Sequence, residues 1–163
     1  MVASVSHLDV QQSDGFVESS RLSTDYLNRY AEALMLIEMA AFDPDGLSEL
    51  KAWKPLGYLD HFRMSNLRCA SGACEAYAAL DPTARRAFET LCGAKNRLVE
   101  TVIITLDEGG DAVSHGAVIQ IAAEAFRNLL SRATAFINSD GDMEMAAYDK
   151  IELQAAIDRI LSL

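Results

Sequence analysis

The chain has 163 residues, half of them hydrophobic and 23% charged. A chain of that length and mix fits one globular domain, able to bury roughly 70% of the surface its unfolded form exposes. Fourteen Lys and Arg against twenty-four Asp and Glu give a net charge of −10, which repels nucleic-acid phosphates and anionic lipid and argues against either as a partner.

Aromatic residues are few, Ala and Leu abound, and no segment alternates with period two, so the pattern predicts an all-α fold. Residues 1–22 are rich in Ser, Gln, Asp and Gly and hold no period; they read as a flexible N-terminal tail. Residues 23–163 read as a single helical-bundle domain. The start of the chain lacks the basic end and apolar stretch of a signal peptide. No apolar run approaches the roughly 20 residues that span a bilayer. Cys69, Cys74 and Cys92 have no C-x-x-C spacing and read as free, buried thiols of a reducing compartment. A cytoplasmic protein with no membrane partner is the expectation.

The first helix is expected to start at Ser23 or Thr24, whose hydroxyls suit a cap. Leu27, Tyr30, Ala31, Leu34, Ile37 and Ala41 are expected to make its inner stripe. Residues 33–42 are apolar at every position except Glu38. A helix apolar on all sides is buried on all sides, so this one reads as either the central helix or half of a dimer interface. A carboxylate in such a run is costly to ionise unless a cation pairs with it. Arg63 and Arg68, on the next long helix, are the expected partners of Glu38.

Asp43-Pro44-Asp45-Gly46 reads as a turn that stops the first helix. A short helical stretch over residues 47–53 follows, and then one long helix over residues 59–80. The middle of that helix, residues 69–74, is made of small side chains, which let a neighbour approach closely. Asp81-Pro82 is a strong start signal for a helix reaching residue 107, with Gly93 as its weak point. Residues 114–137 carry the most regular amphipathic stripe in the chain, from Val118 through Phe126 to Ile137. A turn over residues 138–142 leads to the last helix, residues 143–161, whose apolar face is wide enough for two neighbours or a second subunit. About five helices with short connections predict an antiparallel bundle.

Motifs that carry chemistry are sparse. Glu-x-x-His, His-Glu-x-x-His, the phosphate-binding glycine loops and Gly-x-Ser-x-Gly are all missing from the sequence. Residues 138–149 fail as a calcium loop, with Met143 where glycine is needed and Asp149 where glutamate is. No catalytic residue, cofactor or metal is therefore expected. Four residues stand as candidate binding or phosphorylation positions: Glu38, His61, Arg63 and Arg68. His61, in Asp60-His61-Phe62-Arg63, is the candidate phosphoryl acceptor of a helical phosphocarrier. The leading expectation is a non-enzymatic interaction or regulatory protein acting as a homodimer, with a further protein partner. The alternatives are a small-molecule-binding bundle or small enzyme with a site between helices near Glu38, framed by residues 69–79, and a phosphocarrier through His61.

Overall fold

The computed structural model describes residues 20–163. Among them the chain is helical and has no strand. It forms α1 (Asn28–Met39), α2 (Pro44–Ala52), α3 (Tyr58–Arg63), α4 (Ala70–Ala78), α5 (Pro82–Asp107), α6 (Ala112–Asn138) and α7 (Lys150–Leu161). Two 3-10 turns, Thr24–Leu27 and Met143–Ala146, precede α1 and α7. The tail expectation falls mostly on residues 1–19, which lie outside the described residues. At its end Leu22 is buried, and its N–H donates to Asp140 Oδ1.

Side-chain caps set most of the helix starts. Asp43, Asp81, Asp111 and Asp149 each accept a backbone N–H at the start of α2, α5, α6 and α7. Ser23 and Asp142 do the same for the two 3-10 turns. Each such bond satisfies an N–H that has no partner inside its own helix, worth about 1 kcal/mol. The backbone N–H of Thr83 on Asp81, and that of Ser114 on Asp111, hold these two carboxyls below the usual carboxylate range.

α5 and α6 pack against each other more extensively than any other pair. Leu91, Leu98 and Val102 of α5 and Phe126, Ala133 and Phe136 of α6 are fully buried. The stretch Thr101–Thr105 stays helical, with Thr101 and Thr105 hydroxyls donating to the carbonyls of Arg97 and Thr101 at 2.8 Å. Gly93 does not interrupt α5.

The chain departs from the sequence reading at four places. Asp43-Pro44-Asp45-Gly46 is not a free turn; it is the capped first turn of α2, and Gly46 is buried against α1. The expected helix over 59–80 breaks into α3 and α4, because the chain reverses to bring Tyr58 onto Tyr77, stacked at 4.6 Å. A straight helix would hold those two residues about 28 Å apart. The last expected helix likewise begins as a separate 3-10 turn before Asp149 caps α7. Finally, the run 33–42 is not buried on all sides: Met35 and Met39 of α1 are 50% and 39% exposed, and Phe42, in the turn after it, is 88% exposed.

Two glycine substitutions should act with opposite sign. A Cβ on Gly46 would stand 3.1 Å from the Met39 carbonyl carbon, in backbone that cannot yield cheaply. Gly46→Ala should lose about 1–3 kcal/mol by overpacking. A Cβ on Gly116, within α6, would meet nothing within 4 Å, so Gly116→Ala should gain about 1 kcal/mol through helix propensity. Urea unfolding of the two variants checks both signs.

Candidate functional site

A cleft of about 560 Å³ opens where the Thr24–Leu27 turn and α1, the segment before α3, α4 and the first half of α5 converge. Its wall is aromatic: Tyr26, Tyr30, Tyr58, Tyr77 and Phe88, with Cys92 beside them. Tyr58 is the hub. It stacks on Tyr77 and meets the edge of Tyr26 at 5.2 Å, while Phe88 lies 6.2 Å away and stacks in turn on Phe136. Asp60, Arg63, Glu89 and Asn96 supply the polar groups.

The tyrosine hydroxyls are hydrogen-bonded. Tyr26 donates to the Leu56 carbonyl at 2.7 Å, and its oxygen lies 3.4 Å from that of Tyr30. Tyr30 donates to Asn96 Oδ1 at 3.2 Å, and Tyr77 donates to Glu89 Oε1 at 3.0 Å. The Ser23 N–H donates to the Tyr58 oxygen at 2.9 Å. Burial pushes the Tyr58 hydroxyl up to about 12 and raises those of Tyr26, Tyr30 and Tyr77 further still. All four are neutral phenols at any physiological pH.

Lys95 lies behind this wall. It has no solvent exposure, and its Nζ sits 3.7 Å from the centre of the Tyr30 ring. Nζ has no hydrogen-bond partner among the described residues. A desolvated cation–π contact offers about 2 kcal/mol, less than the several kcal/mol lost in burying an ammonium. The shortfall appears as proton affinity: burial lowers Lys95 from 10.5 to about 8. Cys92, one turn earlier, lies at the cleft wall and 4.0 Å from the Tyr26 hydroxyl. Burial raises its thiol, and the Lys95 charge pulls the other way.

The four residues singled out from sequence are not brought together. Glu38 is half-exposed and pairs with Arg127 of α6, not with Arg63 or Arg68. Arg63 stands at the cleft, 3.8 Å from Asp60. Arg68 is exposed in the turn between α3 and α4. His61 is largely covered, 14% exposed, with Nε2 2.8 Å from Asp25 Oδ2 and its ring edge-on to Tyr26 and Phe62. Lys95 went unread, although its position announces it: Phe88, Leu91, Cys92, Leu98, Val99 and Val102 define an inward stripe at helical spacing, and Lys95 falls on it.

A second groove, about 570 Å³, runs between α6 and α7 and mixes Glu124, Arg132, Glu152 and Arg159 with Leu129 and Leu153. Among the described residues no group of three or more His, Cys, Asp and Glu stands close enough to hold a metal ion, and no helix is long and apolar enough to cross a membrane. Compared with family models, curated proteins and solved structures, the chain finds no match.

The buried amine gives stability a pH dependence. With a pKa of about 8 in the fold and 10.5 unfolded, the unfolded chain holds more protons between those values, so Lys95 makes stability rise with pH there. Below about 8 its penalty is constant. Cys92 and the tyrosines act oppositely, because the fold holds them protonated; their contribution is lost above their ordinary pKa values of about 8.5 and 10. The rise should be clearest from about pH 7.5 to 9. Lys95→Met should be more stable than the parent at neutral pH by about 1–3 kcal/mol and lack that rise. Urea unfolding at stepped pH measures both; a parent profile that is flat or falling across this window contradicts the buried, unpaired ammonium.

Proposed function

We propose that this protein is a ligand-binding helical bundle whose site is the tyrosine-lined cleft. The supporting observation is the cleft itself: a concave, mostly aromatic wall with a few polar groups converging on it, the usual make-up of a small-molecule site. The ligand it suits is a planar, largely apolar molecule. Asn96 and Arg63 are placed to donate to it, and Glu89 and Asp60 to accept from it. This moves the small-molecule reading away from Glu38, whose carboxylate is engaged by Arg127, but keeps Tyr77 of the 69–79 stretch in the site. The phosphocarrier reading has weaker support, because a phosphoryl acceptor needs an open ring nitrogen and His61 is mostly covered with Nε2 bonded.

Phenol and indole are suitable probes, followed by amide chemical shifts of the full chain. Shifts should concentrate at Gly57, Cys92, Gly93 and Asn96. Gly93 lies at the cleft and a Cβ there meets nothing within 4 Å, so Gly93→Leu should fill the cleft without loss of folding and weaken probe binding about tenfold. Shifts scattered over the surface, or unaffected by Gly93→Leu, refute the assignment.

A homodimer remains our second reading. Met35 and Met39, one turn apart on α1, and Phe42, in the turn that follows it, are all exposed. Exposed large apolar side chains gathered at one end of a helix mark interaction faces when they form a patch. We further infer that the two long helices run antiparallel, since Phe88, near the start of α5, stacks on Phe136, near the end of α6, at 4.7 Å. Three free thiols fit the cytoplasm, which we propose as the compartment. Sedimentation at micromolar concentration should give a dimer that Met39→Glu converts to a monomer; a parent protein sedimenting as a monomer overturns this second reading.

A further inference from the structure

We propose that Lys95 is a covalent attachment residue for an aldehyde ligand admitted through the tyrosine-lined cleft. The inference rests on the cleft being a ligand site and adds the chemistry of what it holds.

Three observations carry it. Nζ of Lys95 has no acceptor among the described residues and no solvent exposure. An amine engaged in structure is expected to have a carboxylate or carbonyl partner when buried, and this one has only the face of a ring. The side chains around it line the cleft: Cys92 one turn before, Asn96 directly after, and Tyr30, whose ring covers Nζ. One ring therefore separates the amine from the cavity. That ring is packed against Tyr26, Trp53 and Phe126, and its hydroxyl supplies the latch at its far end, donating to Asn96 Oδ1 at 3.2 Å with the Tyr26 hydroxyl 3.4 Å away. Reaching the amine from the cleft requires Tyr30 to swing aside, away from Trp53 and from Phe126 of α6.

The reaction asks little of the site. The lone pair of the neutral amine attacks the carbonyl carbon and forms the C–N bond. The carbinolamine then loses its oxygen as water, taking both amine hydrogens, and leaves a C=N bond. No oxidant or reductant is consumed. The apolar surroundings favour this sequence twice: they raise the neutral fraction of the amine, and they withhold the water that would hydrolyse the imine. At about pH 7.5 an amine titrating near 8 is roughly one quarter neutral, against about one in a thousand for an ordinary lysine. The chain has three other lysines, Lys51, Lys54 and Lys150, all exposed, which serve as internal references.

The experiment uses the full chain, propanal as the probe and cyanoborohydride to trap the imine, with each lysine quantified by peptide mass mapping. Lys95 should be modified about tenfold faster than Lys51, Lys54 or Lys150 at ~pH 7.5, and its rate should saturate with propanal, as a bound aldehyde requires. Asn96→Ala removes the latch on Tyr30 and should speed Lys95 alone. If Lys95 is the slowest lysine in both the parent and Asn96→Ala, and reacts only in urea, the amine is a sealed core residue and the proposal is wrong. Phenol and indole need no amine. Their binding to the cleft therefore separates the two failures: shifts at Gly57 and Gly93 without Lys95 trapping remove the covalent step alone, and the loss of both removes the cleft reading as well.

Discussion

The reversal of the chain between α3 and α4 depends on one stack of rings. Tyr58 lies on Tyr77, with Tyr26, Phe62 and Phe88 around it. Without that cluster nothing obliges residues 58–78 to bend back on themselves, because their side chains suit a continuous helix. Aromatic pairs of this kind contribute about 0.5–1.5 kcal/mol each beyond the area they bury. The cluster also lines the cleft, whose wall carries Tyr26, Tyr58, Tyr77 and Phe88.

The legible part of the fold was the part set locally. Asp81-Pro82 before α5 and the stripe from Val118 to Ile137 on α6 depend on neighbours within a few positions, and both elements stand where the spacing put them. Asp43-Pro44 was visible as punctuation, but the same dipeptide stops one helix and caps the next, and only the close approach of Gly46 to Met39 decides which reading holds. The break at 64–69 was hidden because its cause lies in pairs far apart in sequence, Tyr58 with Tyr77 and Tyr58 with Phe88. The cleft was hidden for the same reason. Tyr26, Tyr58 and Cys92 sit on separate elements and share no motif.

Lys95 shows a different failure. The inward stripe of α5 was readable, and a lysine on it breaks the pattern. Charge encourages a surface reading even where periodicity contradicts it. Glu38 is the mirror case: a carboxylate in an apolar run looked buried, yet the run faces solvent on one side, and Arg127 of α6 reaches it there. In both, the geometry of the helix was the better guide than the identity of the residue. The acidic excess has a similarly local meaning, since five of its aspartates, Asp43, Asp81, Asp111, Asp142 and Asp149, terminate helices or turns.

The chain carries one tryptophan, Trp53, at the end of α2. Its indole N–H donates to the Arg29 carbonyl, and its ring lies 5.9 Å from that of Tyr30. Excitation absorbed by the tyrosine cluster therefore drains to a single emitter that touches the ring covering Lys95. The molecule contains its own optical probe: displacement of Tyr30 alters the surroundings of the only indole, and the colour and yield of its fluorescence follow the state of the cleft without any added label.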